Sequence, residues 1–140
     1  MVEDPDQWAE SYVRQASLAP HLNRDEALSL LRRVVEGDDE ARSGLMTAGR
    51  RLVVSNARRY LPSHGDLASA LHLGEQGLGT AIDRFDEAKG FAFQTYATWW
   101  IQQAINRGGL GGLGGVREPR SPNPKFPSET VHLDVDGTAV

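Results

Sequence analysis

The 140-residue sequence contains no cysteine, which excludes disulfide staples, thiolate zinc sites and a cysteine nucleophile. No stretch approaches the roughly 20 consecutive apolar residues that a bilayer-spanning helix needs. Lysine is nearly missing, since 13 of the 15 basic residues are arginine, the side chain better suited to bidentate phosphate contact. Acid is missing over one long stretch: Ala41 to Gly65 holds no aspartate or glutamate, while Arg42, Arg50, Arg51, Arg58 and Arg59 fall inside it. That stretch reads either as a solvated helix face or as a track for a polyanion. Period-two alternation is absent too, so the sequence predicts no strand. The opening MVEDPDQWAE has no apolar segment. The expectation is therefore a chain that starts near Met1 without a secretory leader and resides in the cytoplasm. What remains is an ordinary globular composition, 39% hydrophobic and 24% charged with a formal charge of −4, enough for one core and a tail.

Residues 1–107 read as helices throughout, with an N-terminal helix in 1–22 and the main bundle in 23–107. Asp4 before Pro5 gives an N-cap and a first-turn proline, so a helix runs to about Ser17 and stops before Pro20. Asn23 with Glu26 three residues on makes a capping box; Leu28, Leu31, Val34 and Val35 follow at helical spacing until Gly37 supplies the residue past the end. Asp38 or Asp39 caps a third helix through Leu45, and Leu52, Val53, Ala57 and Tyr60 mark a fourth after a junction at Gly49. Asp66 starts a fifth with Leu67, Leu71, Leu78 and Ile82 inward. Its Gly74, Gly77 and Gly79, each costing up to about 1 kcal/mol in a helix interior, imply close packing or a bend. FDEAKG from Phe85 to Gly90 is a turn, and helix resumes from Gln94 to Arg107. The 33 residues from Gly108 on carry seven glycines and four prolines, the composition of a flexible tail. The predicted fold is all-α, a bundle of about five to six helices with that tail.

Six of the ten aromatic residues, Phe85, Phe91, Phe93, Tyr96, Trp99 and Trp100, fall within 16 positions. On a helical wheel Ala97, Ile101, Ala104 and Ile105 form an aliphatic stripe, and Tyr96, Trp99, Trp100, Gln103 and Arg107 lie on the other side. A helix with one interior needs only one of these faces. The aliphatic stripe is the natural core face, so the aromatic side, bordered by Asn106, is expected to point outward. Such a surface suits unstacked nucleic acid, because aromatic faces accept bases at roughly 1–3 kcal/mol each, amides read base edges and arginine holds phosphate.

The stretches RRLVVSNARRYLPSHGD and GLGTAIDRFDEAKGFAFQTYATWWIQQAINR resemble the second conserved region of housekeeping-type bacterial RNA polymerase sigma factors, and LNRDEALSLLRRVVEGDDEARSGL is similar to the helices that precede it there. The resemblance implies a helical domain that holds the clamp helices of the polymerase and captures the non-template strand of the minus-ten promoter element. By the same resemblance Tyr96 stacks on a flipped adenine and Trp99 and Trp100 stand at the upstream edge of the bubble. Gln103 reads the first duplex base pair, Asn106 takes a neighbouring position on the DNA-binding face, and Arg107 holds phosphate. Phe85, Asp86, Lys89, Phe91, Phe93 and Thr95 surround the flipped-base pocket, and Leu52 belongs to a second one. Extracting a base costs a few kcal/mol, which such contacts offset without a nucleophile.

Departures from the pattern fall on both faces. The family presents an acidic face to the polymerase; here Ser69, His72, Leu73 and Glu75 stand at those positions and Gly79 replaces a larger apolar residue, so core-polymerase binding is expected to be weakened. Gly49 stands for a base-contacting asparagine, Ala92 and Gln102 replace common basic residues, and Asn56 replaces an apolar one that, if buried, needs a partner. A promoter-upstream recognition region is not found, and ETVHLDVDG only faintly resembles the linker before it. Other chemistry is set aside. His72 and Glu75 are a lone i, i+3 pair without a second metal-ligating pair, and Asp134 and Asp136 before Gly137 lack the rest of a calcium loop. GGLGGLGG lacks the lysine and strand of a phosphate-binding loop, and no nucleophile elbow is present. The expectation is a non-enzymatic protein without cofactor or metal, a sigma-like regulator binding promoter DNA and, in altered form, RNA polymerase. The alternative is a protein-interaction module or decoy that docks another partner through Leu71, Leu73 and their neighbours.

Overall fold

The computed structural model describes residues 4–60 and 66–108. The tail from 109 on, including Asp134, Asp136 and Gly137, lies outside the described residues. Six α-helices and one 3-10 turn make up the described chain: α1 (Pro5–Leu18), α2 (Arg24–Val35), α3 (Asp39–Ala48), α4 (Arg50–Arg59), α5 (Leu67–Arg84), the turn Glu87–Lys89, and α6 (Phe93–Arg107).

Local chemistry sets most of these boundaries. The Asp4 carboxylate accepts from the Asp6 N–H at the start of α1. At α2 the capping box closes in both directions, with Glu26 N–H donating to Asn23 Oδ1 at 2.8 Å and Asn23 N–H to Glu26 Oε1 at 2.9 Å. Gly37 follows at φ 92°, a left-handed residue that glycine adopts at no steric cost. Asp38 caps α3 and Asp66 caps α5 through the Ser69 N–H. The α2 stripe is narrower than its spacing implied: Leu31 alone is fully buried and Val35 is 81% exposed, because α2 rests on the bundle by one edge.

The centre of the bundle is the α5–α6 pair, with α4 and α2 also against α6 and α1 across α4 and α5. The glycines of α5 make this pairing possible by close approach. A Cβ on Gly77 would stand 2.5 Å from the Trp100 carbonyl oxygen and 2.7 Å from Ile101 Cα, and one on Gly74 would meet Val53 Cγ1 at 3.0 Å. Gly49 is explained the same way, since its Cβ would lie 2.7 Å from a Leu78 methyl.

Candidate functional site

Packed on several sides, α6 buries Phe93, Tyr96, Ala97, Thr98, Trp100, Ile101, Gln102, Ala104 and Ile105, about 240° of its circumference at 100° per residue. The expectation that the aromatic side faces outward is overturned for two of its three large rings. Tyr96 is 1% and Trp100 0% exposed. The reason is the close crossing at Gly77, which draws α6 against α5 and leaves the helix with more than one interior face. The Tyr96 hydroxyl donates to the Arg84 carbonyl at 3.3 Å, and the ring packs edge-on with Phe85 and against Phe91, at centroid distances of 5.5 and 5.6 Å. Arg84 lies over the Trp100 ring at 5.5 Å, while the Trp100 indole N–H finds no acceptor among the described residues. Packing rather than hydrogen bonding seats that indole.

The open edge of α6 is a stripe about 80° wide, carrying half-buried Thr95, Trp99 and Gln103 with exposed Asn106. Trp99 stands edge-on to Trp100 with centroids 5.1 Å apart, and exposed Arg107 closes the helix. Of the other residues assigned to nucleic acid by resemblance, Asp86 and Lys89 are exposed and Phe85 is half-buried. The Asp86 carboxylate is used locally, accepting from the Ala88 N–H at 3.0 Å. Phe91, Phe93 and Leu52 belong to the core but also reach two open cavities. One, of about 460 Å³, includes Leu52, Arg51 and Phe93 in its wall; the other, of about 660 Å³, includes Phe91, Phe93 and Thr95. Asn23 and Gln94 line both and were missed by sequence reasoning. The signal for Gln94 was its place between Phe93 and Thr95; none pointed to Asn23, whose side chain reads as a cap.

Two departures from the family pattern solve each other. Gln102, which stands where the resemblance leads one to expect a basic residue, is buried: its amide donates to Asn56 Oδ1 at 3.4 Å and to the Tyr60 hydroxyl at 3.3 Å. Asn56 in turn donates to the Leu52 carbonyl at 2.8 Å, so its burial finds the partners it needed. The arginine-rich stretch is also largely structural. Arg42 forms a two-pronged ion pair with Asp83 at 2.8 and 2.9 Å. Arg50 donates to Gln15 and lies over the Tyr12 ring, and Arg51 donates to the Ser17 and Ala19 carbonyls at the end of α1. Arg58 and Arg59 are the exposed members.

On α5, Ser69 and His72 are exposed and Glu75 is half-buried. Leu73 packs partly against the core, so it is not the bare apolar intruder expected on that surface. Gly79 is buried beneath Arg42, whose Nη2 would meet its Cβ at 3.1 Å. The contact with α1 was not foreseen. The Trp8 ring stacks on His72 with centroids 3.9 Å apart and planes 7° apart. One turn on, burial first and the Glu75 carboxylate second push the Tyr12 hydroxyl far above its ordinary pKa. Among the described residues no group of three or more His, Cys, Asp or Glu side chains is placed to hold a metal, and no helix is long and apolar enough to cross a membrane.

Comparison with known proteins settles the relationship that the α5–α6 geometry raises. The family model for sigma-70 region 2 matches residues 45–108. Residues 45–108 are a sigma-70 region 2 domain. The chain is 43% identical over 96 residues to RNA polymerase sigma factor SigA of a Bacillus species, covering 69% of this chain and 26% of that protein. It is 44% identical over 96 residues to sigma factor RpoS of Coxiella burnetii, covering 69% and 27%. With SigA of Clostridium acetobutylicum it shares 41% over 106 residues, covering 76% and 27%. The chain thus spans about a quarter of the length of these curated relatives.

Proposed function

We propose that this chain is a non-enzymatic, sigma-type module of transcription initiation that engages promoter-type DNA through the open edge of α6. The observation that carries the reading is the alignment of Thr95, Trp99, Gln103 and Asn106 on the one exposed stripe of that helix, in a region 2 domain. A half-exposed indole supplies a stacking face, two amides supply paired donors and acceptors for base edges, and Arg107 supplies a charge for phosphate. Lys89 adds a second charge beside the aromatic group. Tyr96 and Trp100 act in this reading as the scaffold that holds Trp99 at the edge. With two of the three rings in the core, affinity rests on one principal stacking contact, so binding is expected to be weak and salt-dependent. RNA polymerase is the protein partner, met on the face of α5 that bears Ser69, His72 and Glu75, and no cofactor takes part.

The test is fluorescence anisotropy with a labelled single strand carrying TATAAT and a scrambled strand. The TATAAT strand is expected to bind more tightly, and Trp99→Ala and Gln103→Ala to abolish the difference. Equal binding of both strands, unmoved by either substitution, would overturn the DNA reading. A second reading, a module that binds only protein, is favoured by the sealed Tyr96 and Trp100 rings; that same result would leave it standing.

A further inference from the structure

α1 and α4 run antiparallel, with the Arg51 guanidinium at the start of α4 on the Ser17 and Ala19 carbonyls at the end of α1. Between the two helices lies an open groove of about 500 Å³. Buried Ala16 and Val54 with half-buried Val13 give it an apolar floor, and exposed Ser17 and Ser55 add hydroxyls. Its charge is positive. Arg51 and Arg58 line it, and exposed Arg14 adjoins it one turn before Ser17. Arg51 keeps its Nε buried without an acceptor among the described residues, a donor that calls for a further partner. Arg58 forms no ion pair among the described residues, and neither does Glu10, the acid one turn before Val13. The other arginines of α4 are engaged beside the groove, Arg50 at Gln15 and over the Tyr12 ring and Arg59 over the Tyr60 ring.

We infer that the α1–α4 groove is the docking site of the chain's own segment 131–137, VHLDVDG. Alternate side chains of an extended chain point to opposite sides. Val131, Leu133 and Val135 therefore share one side, for the apolar floor, and Asp134 and Asp136 share the other, for the arginines at the rim. From Val131 to Val135 such a chain covers about 13 Å, close to the roughly 10 Å of helix from Arg51 to Arg58. Charge singles out this segment, because 109–128 carries Arg117, Arg120 and Lys125 against Glu118 alone. Reach is ample. Residues 109–130 can span up to about 70 Å, and Gly108 ends α6 about 9 Å of helix beyond Gln102, whose amide meets Tyr60 at the end of α4. A nucleic-acid strand fits less well, since no aromatic ring lines the groove for a base to stack on. The docking goes beyond the function proposed above and depends on neither the α6 edge nor the α5 face.

Because the chain has no cysteine, Thr138→Cys places a single nitroxide beside the segment in the full chain. Paramagnetic broadening is then read at the backbone amides of the same isotopically labelled molecule. It is expected to centre on Val13, Ser17, Ser55 and Arg58, to be weaker on α5 and α6, and to fall as salt is raised from about 0.05 M to about 0.5 M. Arg58→Gln should weaken it about two-fold, the size of one exposed ion pair, and Asp134→Asn combined with Asp136→Asn should weaken it further. Arg58 is exposed and the two aspartates lie outside the described residues, so these variants keep the bundle intact. Broadening spread evenly, centred on α5 or α6, or unmoved by both variants would overturn the inference. Equal broadening in a mixture whose spin label and isotope sit on different molecules would also overturn it, giving the groove to a second copy. A scrambled DNA strand that shifts the groove amides, with no broadening there from the segment, would overturn it in favour of nucleic acid.

Discussion

Trp99 and Trp100 are neighbours in sequence and belong to different parts of the molecule. Trp100 is sealed against α5, under Arg84 and over the gap that Gly77 leaves. Trp99, rotated about 100° around the same helix, stands half-open beside Gln103 and Thr95. A paired-tryptophan motif that reads as one surface is thus one structural residue and one available residue. The difference comes from the number of neighbours that α6 has: a helix packed on a single side sorts residues into two faces, whereas a central helix leaves only a narrow edge.

Trp100→Ala tests the sealed side most severely. Truncating a fully buried indole costs about 3–5 kcal/mol, so urea unfolding should show a large loss of stability or no folded protein; a change under about 1 kcal/mol would break the distinction between the two tryptophans. Gly77→Ala follows. Its methyl has backbone atoms, not a flexible side chain, in the way, and an overpacking cost of about 3 kcal/mol is expected, read as a lower denaturation midpoint at unchanged m-value. Trp99→Ala is the counterpart on the open side, with a loss of stability of about 1 kcal/mol or less and a several-fold loss of affinity for the TATAAT strand.

The sequence made the ends of the elements legible and left their mutual arrangement unread. Asp4–Pro5, the Asn23–Glu26 box, Gly37 and Asp66 act over one turn of helix, so residues adjacent in sequence carry the whole signal. Close packing at Gly74 and Gly77 was also foreseeable, because glycines in a helix interior are costly without a compensating approach. The burial of Tyr96 was not, since amphipathic patterning distinguishes faces by polarity and the inward and outward aromatics of α6 are chemically alike. The Asn56–Gln102 pair spans 46 positions, and the Trp8–His72 stack joins residues 64 positions apart, since 72 − 8 = 64. Neither side chain of such a pair announces the other.

The Asn56–Gln102 pair sharpens the comparison on a third side of α6. A double-mutant cycle with Asn56→Leu and Gln102→Leu should give a coupling of about 1 kcal/mol, with the double variant less destabilised than the sum of the singles; strict additivity would show that the two amides do not cooperate. The smallest effect expected lies farther from α6, at Asp66. The Ser69 backbone N–H holds its carboxyl below the ordinary aspartate range. A carboxyl whose pKa is lowered on folding stabilises fully above its unfolded value and loses that contribution as pH falls through the folded value. Asp66→Ala should therefore lower the melting temperature slightly at pH 7, and the gap from wild type should close as pH drops below about 4; a gap that widens with acid would contradict the cap.

Fluorine NMR of the full chain carrying fluorinated tryptophan tests the division of α6 most directly, because Trp8, Trp99 and Trp100 report separately. On titration with the TATAAT strand, the Trp99 resonance should move with saturation while that of Trp100 stays in place. Movement of Trp100 to an equal or greater extent, or its exposure to solvent on binding, would contradict the account.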